Sequence, residues 1–297
     1  MAPKKSVQLS GVVVAQTELC SIDAERGILR YRGYDIADLA EHASYEEVAY
    51  LLLEGDLPTA GELAAFEEEL AKRELPRQVQ AVIDGNARDA SPMEMLRTAV
   101  SQLSFYDPAE AAVDAANERR KAGQLIAQLP TIVARHHRLR SGREPVPPDP
   151  SLGYAENFLT MLRGEAPTEE EAHAFEVAMI LHAEHELNAS TFSARVVAGT
   201  GADLHSAIVA AICALKGPTH GGANEAAMRM IAGFGPIAAG GAAPRSSGAA
   251  RSAAPPSAAR SPRRSPPRPG RRTRAARPPS AASPSASRRA RCRRSPP

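Results

Sequence analysis

The sequence has few of the residues that would place it in a special class of protein. It has no Trp, 4% aromatic residues and three cysteines among 297 residues. Cys20, Cys213 and Cys292 are odd in number and lack CxxC spacing, so we expect neither a disulfide framework nor a cysteine metal site, and favour a reducing compartment. No apolar run approaches the length of a membrane span, and the first residues lack the apolar segment of a signal peptide. These features predict a cytoplasmic protein with no membrane partner.

Charge is distributed unevenly along the chain. Residues 241–297 contain 15 of the 36 basic residues and none of the 34 acidic ones, which leaves a net charge of −13 on residues 1–240. The segment 241–297 contains only Gly, Ala, Pro, Arg, Ser, Thr and Cys. Without Leu, Ile, Val or Phe, such a segment cannot bury enough apolar surface to offset its conformational entropy. We therefore predict a disordered tail over residues 236–297.

Two explanations of this tail are possible. All of its residue types have GC-rich codons, which is the composition expected when a GC-rich gene is translated in a shifted frame. The alternative is a genuine basic tail that binds a polyanion, such as nucleic acid, through phosphate charge. We favour the frameshift, and nucleic acid is expected as a partner only if the tail is genuine.

Capping and hydrophobic patterns predict a mainly α-helical body over residues 1–235. Short β-branched runs broken by Gly over residues 8–34 predict a hairpin or extended arm. Helices are predicted beyond it at these places: after the capping box at Ser44 and ending at Gly55, over 59–72, after Ser91, over 109–138, after the capping box at Thr168, over 188–197, and after Asp203. The proline-rich segment 141–150 is predicted to be a surface loop.

A first histidine segment, residues 182–188 (His-Ala-Glu-His-Glu-Leu-Asn), lies at the predicted end of a helix. A zincin site needs histidines at i and i+4, whereas His182 and His185 are at i and i+3, so no metal site is expected. The histidines could instead satisfy a buried helix end. We favour recognition of a carboxylate or carbonyl, because a His–Asn pair such as His185 and Asn188 can donate hydrogen bonds to it.

A second histidine segment, residues 217–225 (Gly-Pro-Thr-His-Gly-Gly-Ala-Asn-Glu), separates two predicted helices. Gly217 and Pro218 end one helix, and Gly221 and Gly222 allow a close backbone approach before the next helix begins near Ala223. His220 is then placed at a helix N-terminus, where the dipole favours a neutral N–H donor suited to an enolate oxygen. The alternative is a surface turn that happens to contain a histidine.

These two segments, in this order and at this separation, closely resemble motifs of the citrate synthase family. The resemblance covers roughly residues 8–232 and includes further stretches at 31–36, 46–53, 92–97 and 155–159. Residues 4–12 and 197–203 are more similar to the 2-methylcitrate synthases within the family, whereas the rest fits bacterial citrate synthases equally well. The sequence is thus identified as a member of this family over its first 232 residues.

The resemblance implies a mainly α-helical homodimer that condenses acetyl-CoA or propionyl-CoA with oxaloacetate and needs no cofactor. It assigns His220 to the histidine that hydrogen-bonds the thioester oxygen, and His185, with Asn188, to oxaloacetate binding. The family also uses a second histidine after Gly-Phe-Gly and a catalytic Asp, both in its C-terminal part. Here Gly233-Phe-Gly235 is followed by Pro236, and no Asp or His lies beyond it.

We therefore expect a largely absent small CoA-binding domain, and we expect this chain itself to be inactive in a thiol-release assay. Two other hypotheses belong to different classes. The helical body could serve as a non-catalytic oligomerising fragment with a polyanion-binding tail, or it could be a misfolded fragment that aggregates through uncovered apolar faces.

Overall fold

The computed structural model describes residues 15–232. Within this part, the chain divides at Gly222 into a large compact unit (residues 15–222) and a second unit represented by residues 223–232. In the second unit, Arg229 pairs with Glu225 one helical turn earlier. The tail over 236–297, the proposed domain boundary at 235 and residues 8–14 of the predicted arm lie outside the described residues.

A small antiparallel sheet begins the described chain, followed by helices. The strands, in spatial order, are β1 (Cys20–Asp23), β2 (Ile28–Tyr31) and β3 (Tyr34–Asp35). The α-helices are α1 (Ile36–His42), α2 (Tyr45–Glu54), α3 (Ala60–Leu70), α4 (Arg77–Asn86), α5 (Pro92–Leu103), α6 (Ala115–Arg140), α7 (Tyr154–Arg163), α8 (Glu169–His182), α9 (Ala189–Ala198), α10 (Leu204–Leu215) and α11 (Gly221–Ala232). A 3-10 turn (Ser104–Tyr106) follows α5. The predicted mainly α fold is confirmed.

Most helix starts follow from local capping chemistry. Ser44, Thr59, Ser91 and Thr168 each begin a complete capping box, with a Glu at the third helical position returning the hydrogen bond. Such boxes satisfy two backbone N–H groups that lack partners within the helix. Gly55 ends α2 in the left-handed conformation, which a residue without Cβ adopts at little cost. These elements begin and end close to where the sequence predicts.

The prediction of a long helix over 109–138 is wrong at the N-terminal end of that helix. Residues 108–111 form a turn, and α6 begins only at Ala115, with the side chain of Asp114 accepting from the N–H of Asn117. The turn is stabilised because Lys121, on α6, donates to the carbonyl oxygens of Glu110 at 2.7 Å and Ala112 at 2.8 Å. Helical continuation through this segment would direct those carbonyls along the helix axis instead.

Buried apolar side chains form three clusters in the large unit. The largest joins α4, α5, α6 and α10, with Val79, Ala99, Ile132 and Ile212 among its members. A second joins the sheet to α1, α2 and α8, and the third joins α2, α3, α6 and α7. Helices α4 and α7, for which we made no prediction, thus take part in the core. Among the described residues, no helix is both long and apolar enough to span a membrane.

Candidate active site

The first histidine segment lies mostly in a loop between α8 and α9. His182 is the last residue of α8, whereas His185 lies three residues beyond it, in the loop. Glu186, the next residue, has a φ of +56°. This left-handed conformation costs a residue with a Cβ about 1–2 kcal/mol, so the surrounding contacts must hold it. His185 is exposed, and its ring makes no hydrogen bond within the described part of the chain.

Two side chains of the sheet contact this loop. The N–H of Glu184 donates to the hydroxyl of Tyr31 (3.2 Å), and the N–H of Glu186 donates to the Sγ of Cys20 (3.2 Å). Burial raises the pKa of Cys20 to about 11, so its thiol stays protonated and acts as a hydrogen-bonding group rather than a nucleophile. We did not predict a site role for either residue, because they lie more than 150 residues before the loop.

The loop ends at Asn188, which caps α9. Its Oδ1 accepts from the N–H groups of Ser190 (2.9 Å) and Thr191 (3.0 Å). The amide nitrogen of Asn188 takes no part in this cap and can donate to a ligand. The structure therefore gives Asn188 a helix-capping role in addition to the predicted binding role.

The second histidine segment contacts Ser190, two residues beyond the first segment and in the first turn of α9. The Oγ of Ser190 lies 2.8 Å from the Nε2 of His220, a hydrogen bond across 30 residues of sequence. His220 is half-buried in the turn between α10 and α11, and its N–H donates to the carbonyl of Gly217 at 3.0 Å. Ser190 thus contacts Asn188 through its backbone and His220 through its hydroxyl. The structure therefore brings the second segment close to Asn188, the end of the first segment, at the start of α9.

At Gly221 the backbone is closely packed, but against another part of the chain. The sequence led us to expect a close approach to a ligand at this glycine. An added Cβ would overlap the carbonyl oxygen of Leu215 and lie 2.8 Å from its Cδ1. Helix α11 begins here, at Gly221, rather than near Ala223. The glycine therefore lets the turn that holds His220 pack against the end of α10.

His182 is placed differently from His185. Its Nδ1 lies 2.7 Å from the carbonyl oxygen of Ala178, one turn earlier in α8. A carbonyl can only accept, so this nitrogen carries the proton. The ring of His182 is thus bonded within its own helix. Because His182 is exposed, it does not satisfy a buried helix end, which was the alternative that we kept open for these histidines.

A second polar cluster, outside the predicted site, joins the turn before α6 to the start of α10. Ligand atoms of Asp107, Glu110 and His205 all lie within 4.8 Å of one another. Both oxygens of Asp107 already accept from Arg120, at 2.6 and 2.9 Å, and Lys121 lies 4.0 Å from the carboxylate of Glu110. Because these two cations stand where the charge of a metal ion would be needed, the arrangement suits a structural network better than a metal site.

Within this network, neighbouring carboxyl groups have divergent pKa values. Burial and a hydrogen bond to Asp203 raise the pKa of Glu110 to about 7, and burial lowers the pKa of His205. Burial opposes ionisation of Asp203, but hydrogen bonds from Ser206 and Glu110 lower its pKa to about 2. The pKa of Glu110 is thus raised while that of its neighbour Asp203 is lowered, and the Oε2 of Glu110 lies 2.9 Å from Nδ1 of His205.

This arrangement predicts a pH-dependent stability. Native Glu110 holds its proton up to about pH 7, whereas its ordinary pKa is 4.5, so the free energy of unfolding should fall as pH rises from about 4.5 through 7. In Glu110→Gln this part of the decline should disappear. Urea unfolding of both proteins across this range measures the difference, with exposed Glu165→Gln as control. Parallel curves for wild type and Glu110→Gln would contradict the assignment.

The chain is a mainly α-helical protein. One of its histidine-containing segments is a loop that ends at the helix cap Asn188, and the other is the turn that holds His220. Residues 8–242 match the family model described as "Citrate synthase, C-terminal domain". The chain belongs to the citrate synthase family.

Individual relatives agree with this assignment. The chain is 50% identical to a citrate synthase of Haloferax volcanii over 228 residues, covering 75% of this chain and 60% of that protein. It is 48% identical to a 2-methylcitrate synthase of Mycobacterium tuberculosis over 221 residues, covering 74% and 56%. Citrate synthase from Thermoplasma acidophilum has been solved as a ternary complex with carboxymethyl coenzyme A and oxaloacetate. Its structure superposes on this chain with a TM-score of 0.71 and 35% sequence identity. The match covers 76% of this chain and 60% of that one. The chain thus spans about 60% of the length of these relatives.

Proposed function

We propose that this chain carries the oxaloacetate-binding part of a site that condenses acetyl-CoA or propionyl-CoA with oxaloacetate, forming citrate or 2-methylcitrate and CoA. The observation that carries the proposal is the contact between Ser190 and His220, which joins the two family motifs in one place. The oxaloacetate in the complex of the Thermoplasma acidophilum enzyme supports the choice of substrate.

The described residues suit two parts of this reaction. His185 is exposed, and its ring has no hydrogen-bond partner within the described chain, so it can donate to a carbonyl or carboxylate of oxaloacetate. His220, oriented by Ser190, can donate through its other ring nitrogen to the thioester oxygen as the Asp that serves as the family's base takes a proton from the α-carbon and an enol forms. The enol carbon then attacks the oxaloacetate carbonyl, and water cleaves the thioester to release CoA.

The second histidine and the base of the family have no counterpart in the described residues. Inactivity of this chain in a thiol-release assay therefore stays a prediction, and substrate binding is the property to measure first. The reaction as proposed involves two substrates and water, with no cofactor.

We expect His185→Ala to weaken oxaloacetate binding about ten-fold or more, because the charged carboxylate of the substrate loses a hydrogen-bond donor. Isothermal titration calorimetry of the full chain measures the dissociation constant. The control is His182→Ala, which removes a ring that is also exposed and belongs to the same segment, but that is bonded to Ala178. It should change the dissociation constant by less than about two-fold. No saturable binding by the wild type, or equal effects of both variants, would contradict the proposal.

We also propose that a second copy of the chain is the partner. Phe192 and Val196 lie one turn apart on α9 and are 37% and 55% exposed, so they form part of one apolar face of the helix. Contiguous apolar surface of this kind is typical of association sites. Sedimentation equilibrium of the purified chain tests the oligomeric state. The basic tail, and with it a nucleic-acid partner, lies outside the described residues.

A further inference from the structure

The sheet at the start of the described chain directs two polar groups toward the loop between α8 and α9 that contains His185, which we call the His185 loop. Cys20 and Tyr31 are directly opposite each other in the antiparallel pair β1–β2. Opposite residues point to the same face of a sheet, so both side chains leave it in one direction. Both are buried and belong to the cluster that contains Ile180, near the end of α8. The register of the hairpin therefore brings a hydroxyl and a thiol to the same place.

The hydroxyl of Tyr31 serves both the end of α8 and the loop that follows. It lies 3.1 Å from the carbonyl oxygen of Ile180 and 3.4 Å from that of Leu181, to which it can donate. These carbonyls belong to the last turn of the helix, where intrahelical partners run out. The carbonyl of Ile180 also accepts from the N–H of Ala183 at 3.2 Å, so Tyr31 adds a second hydrogen bond there. The same oxygen accepts from the N–H of Glu184 at 3.2 Å. Tyr31 thus fixes the point at which the chain leaves the helix.

The thiol of Cys20 contacts the backbone of the loop at Glu186, two residues after the residue that Tyr31 contacts. Its Sγ accepts from the N–H of Glu186 at 3.2 Å and lies 3.5 Å from the Oε1 of Glu184, to which the S–H can donate. Glu186 is the residue with a φ of +56°. The sheet therefore bonds the backbone at the one position of the loop whose conformation is intrinsically unfavourable.

His185 lies between these two anchored residues. The N–H of Glu186 belongs to the peptide unit that follows His185, and the N–H of Glu184 belongs to the peptide unit that precedes Glu184, so the sheet bonds the backbone on both sides of His185. Asn188 fixes the following segment by capping α9. The direction in which the exposed ring projects is thus set from the hairpin and from α9, although neither the thiol nor the hydroxyl is exposed.

We propose that the β1–β2 hairpin is a clamp on the His185 loop, and that Tyr31 and Cys20 are positioning residues for oxaloacetate binding. The inference rests on the proposed function in one respect, namely that His185 contacts the substrate. The clamp itself is a property of the unliganded chain.

Amide hydrogen exchange of the full chain tests the clamp without any ligand. Tyr31→Phe should accelerate exchange at Glu184, and Cys20→Ala at Glu186, each about ten-fold or more, since each removes the acceptor of that N–H. Cys20→Ser, which keeps an acceptor, should lie nearer the wild type. The matched control is Tyr34→Phe, which removes a buried hydroxyl of the same sheet bonded to Asp56 at 2.6 Å. Unchanged exchange at both loop amides, or equal acceleration in Tyr34→Phe, would overturn the clamp.

Oxaloacetate titration of the same variants tests the positioning role. Tyr31→Phe and Cys20→Ala should raise the dissociation constant about five- to ten-fold, because small displacements of a binding group have large effects, whereas Tyr34→Phe should not. Loosened amides with unchanged binding would overturn the positioning role and leave the proposed function intact if His185→Ala still weakens binding. Absence of binding by the wild type would overturn both the proposed function and the positioning role, while the exchange result still decides the clamp.

Discussion

Replacing Lys121 with alanine is expected to lower the free energy of unfolding by about 3–5 kcal/mol. The Nζ of Lys121 is fully buried and uses its three donors on the carbonyls of Glu110 (2.7 Å) and Ala112 (2.8 Å) and on the carboxylate of Glu118 (3.1 Å). Without the ammonium group, two carbonyls and a carboxylate lose their partner in a poorly solvated place. Urea unfolding followed by circular dichroism measures the loss.

Lys216→Ala is the matched control for this prediction. Lys216 also contacts a carboxylate closely, with 2.6 Å between Nζ and Glu94, but both side chains are about 40% exposed. Exposed ion pairs contribute about 0–1 kcal/mol, so this variant should be nearly as stable as the wild type. Lys121→Met separates the loss of packing from the loss of the ammonium group, because it retains most of the side-chain volume and loses the charge and its three hydrogen bonds. A loss for Lys121→Ala no larger than that for Lys216→Ala would show that the buried network contributes little.

The same network explains one limit of prediction from sequence. Helix starts at Ser44 and Thr168 could be predicted, because the capping partner lies three residues away in the sequence. The start of α6 could not, since the turn before Ala115 depends on Lys121, whose burial is a tertiary property. A lysine within a charged helix, beside Arg119 and Arg120, looks like part of a solvated face.

The site shows the same division between local and distant determinants. His185, Asn188 and His220 could be chosen from the residue types and from the family motifs around them. That Ser190 joins the two segments, and that Tyr31 supports the loop, depends on contacts across 30 and 153 residues. The roles of His185, Asn188 and His220 in binding and catalysis remain proposals, which the titrations above address.

A second large loss of stability is expected for Gly221→Ala. Its φ is not in the left-handed region, so alanine would be compatible with the backbone conformation. The obstacle is steric: an added Cβ would overlap the backbone carbonyl of Leu215, which cannot rotate away as a side chain could. The turn would have to move, and His220, the preceding residue, would move with it. We expect Gly221→Ala to cost on the order of 1–3 kcal/mol of stability.

Gly85→Ala is the matched control for Gly221→Ala, because its added methyl group has free space. Gly85 lies inside α4, and a Cβ there would meet nothing within 4 Å. Alanine should therefore stabilise the protein by about 0.5–1 kcal/mol through helix propensity alone. Gly221→Ala should also shift the ring resonances of His220 in NMR spectra, since the contact between Nε2 and Ser190 is disturbed, whereas Gly85→Ala should leave them unchanged. If both variants stabilise the protein and the His220 resonances stay in place, the close packing of this turn does not determine the position of the histidine.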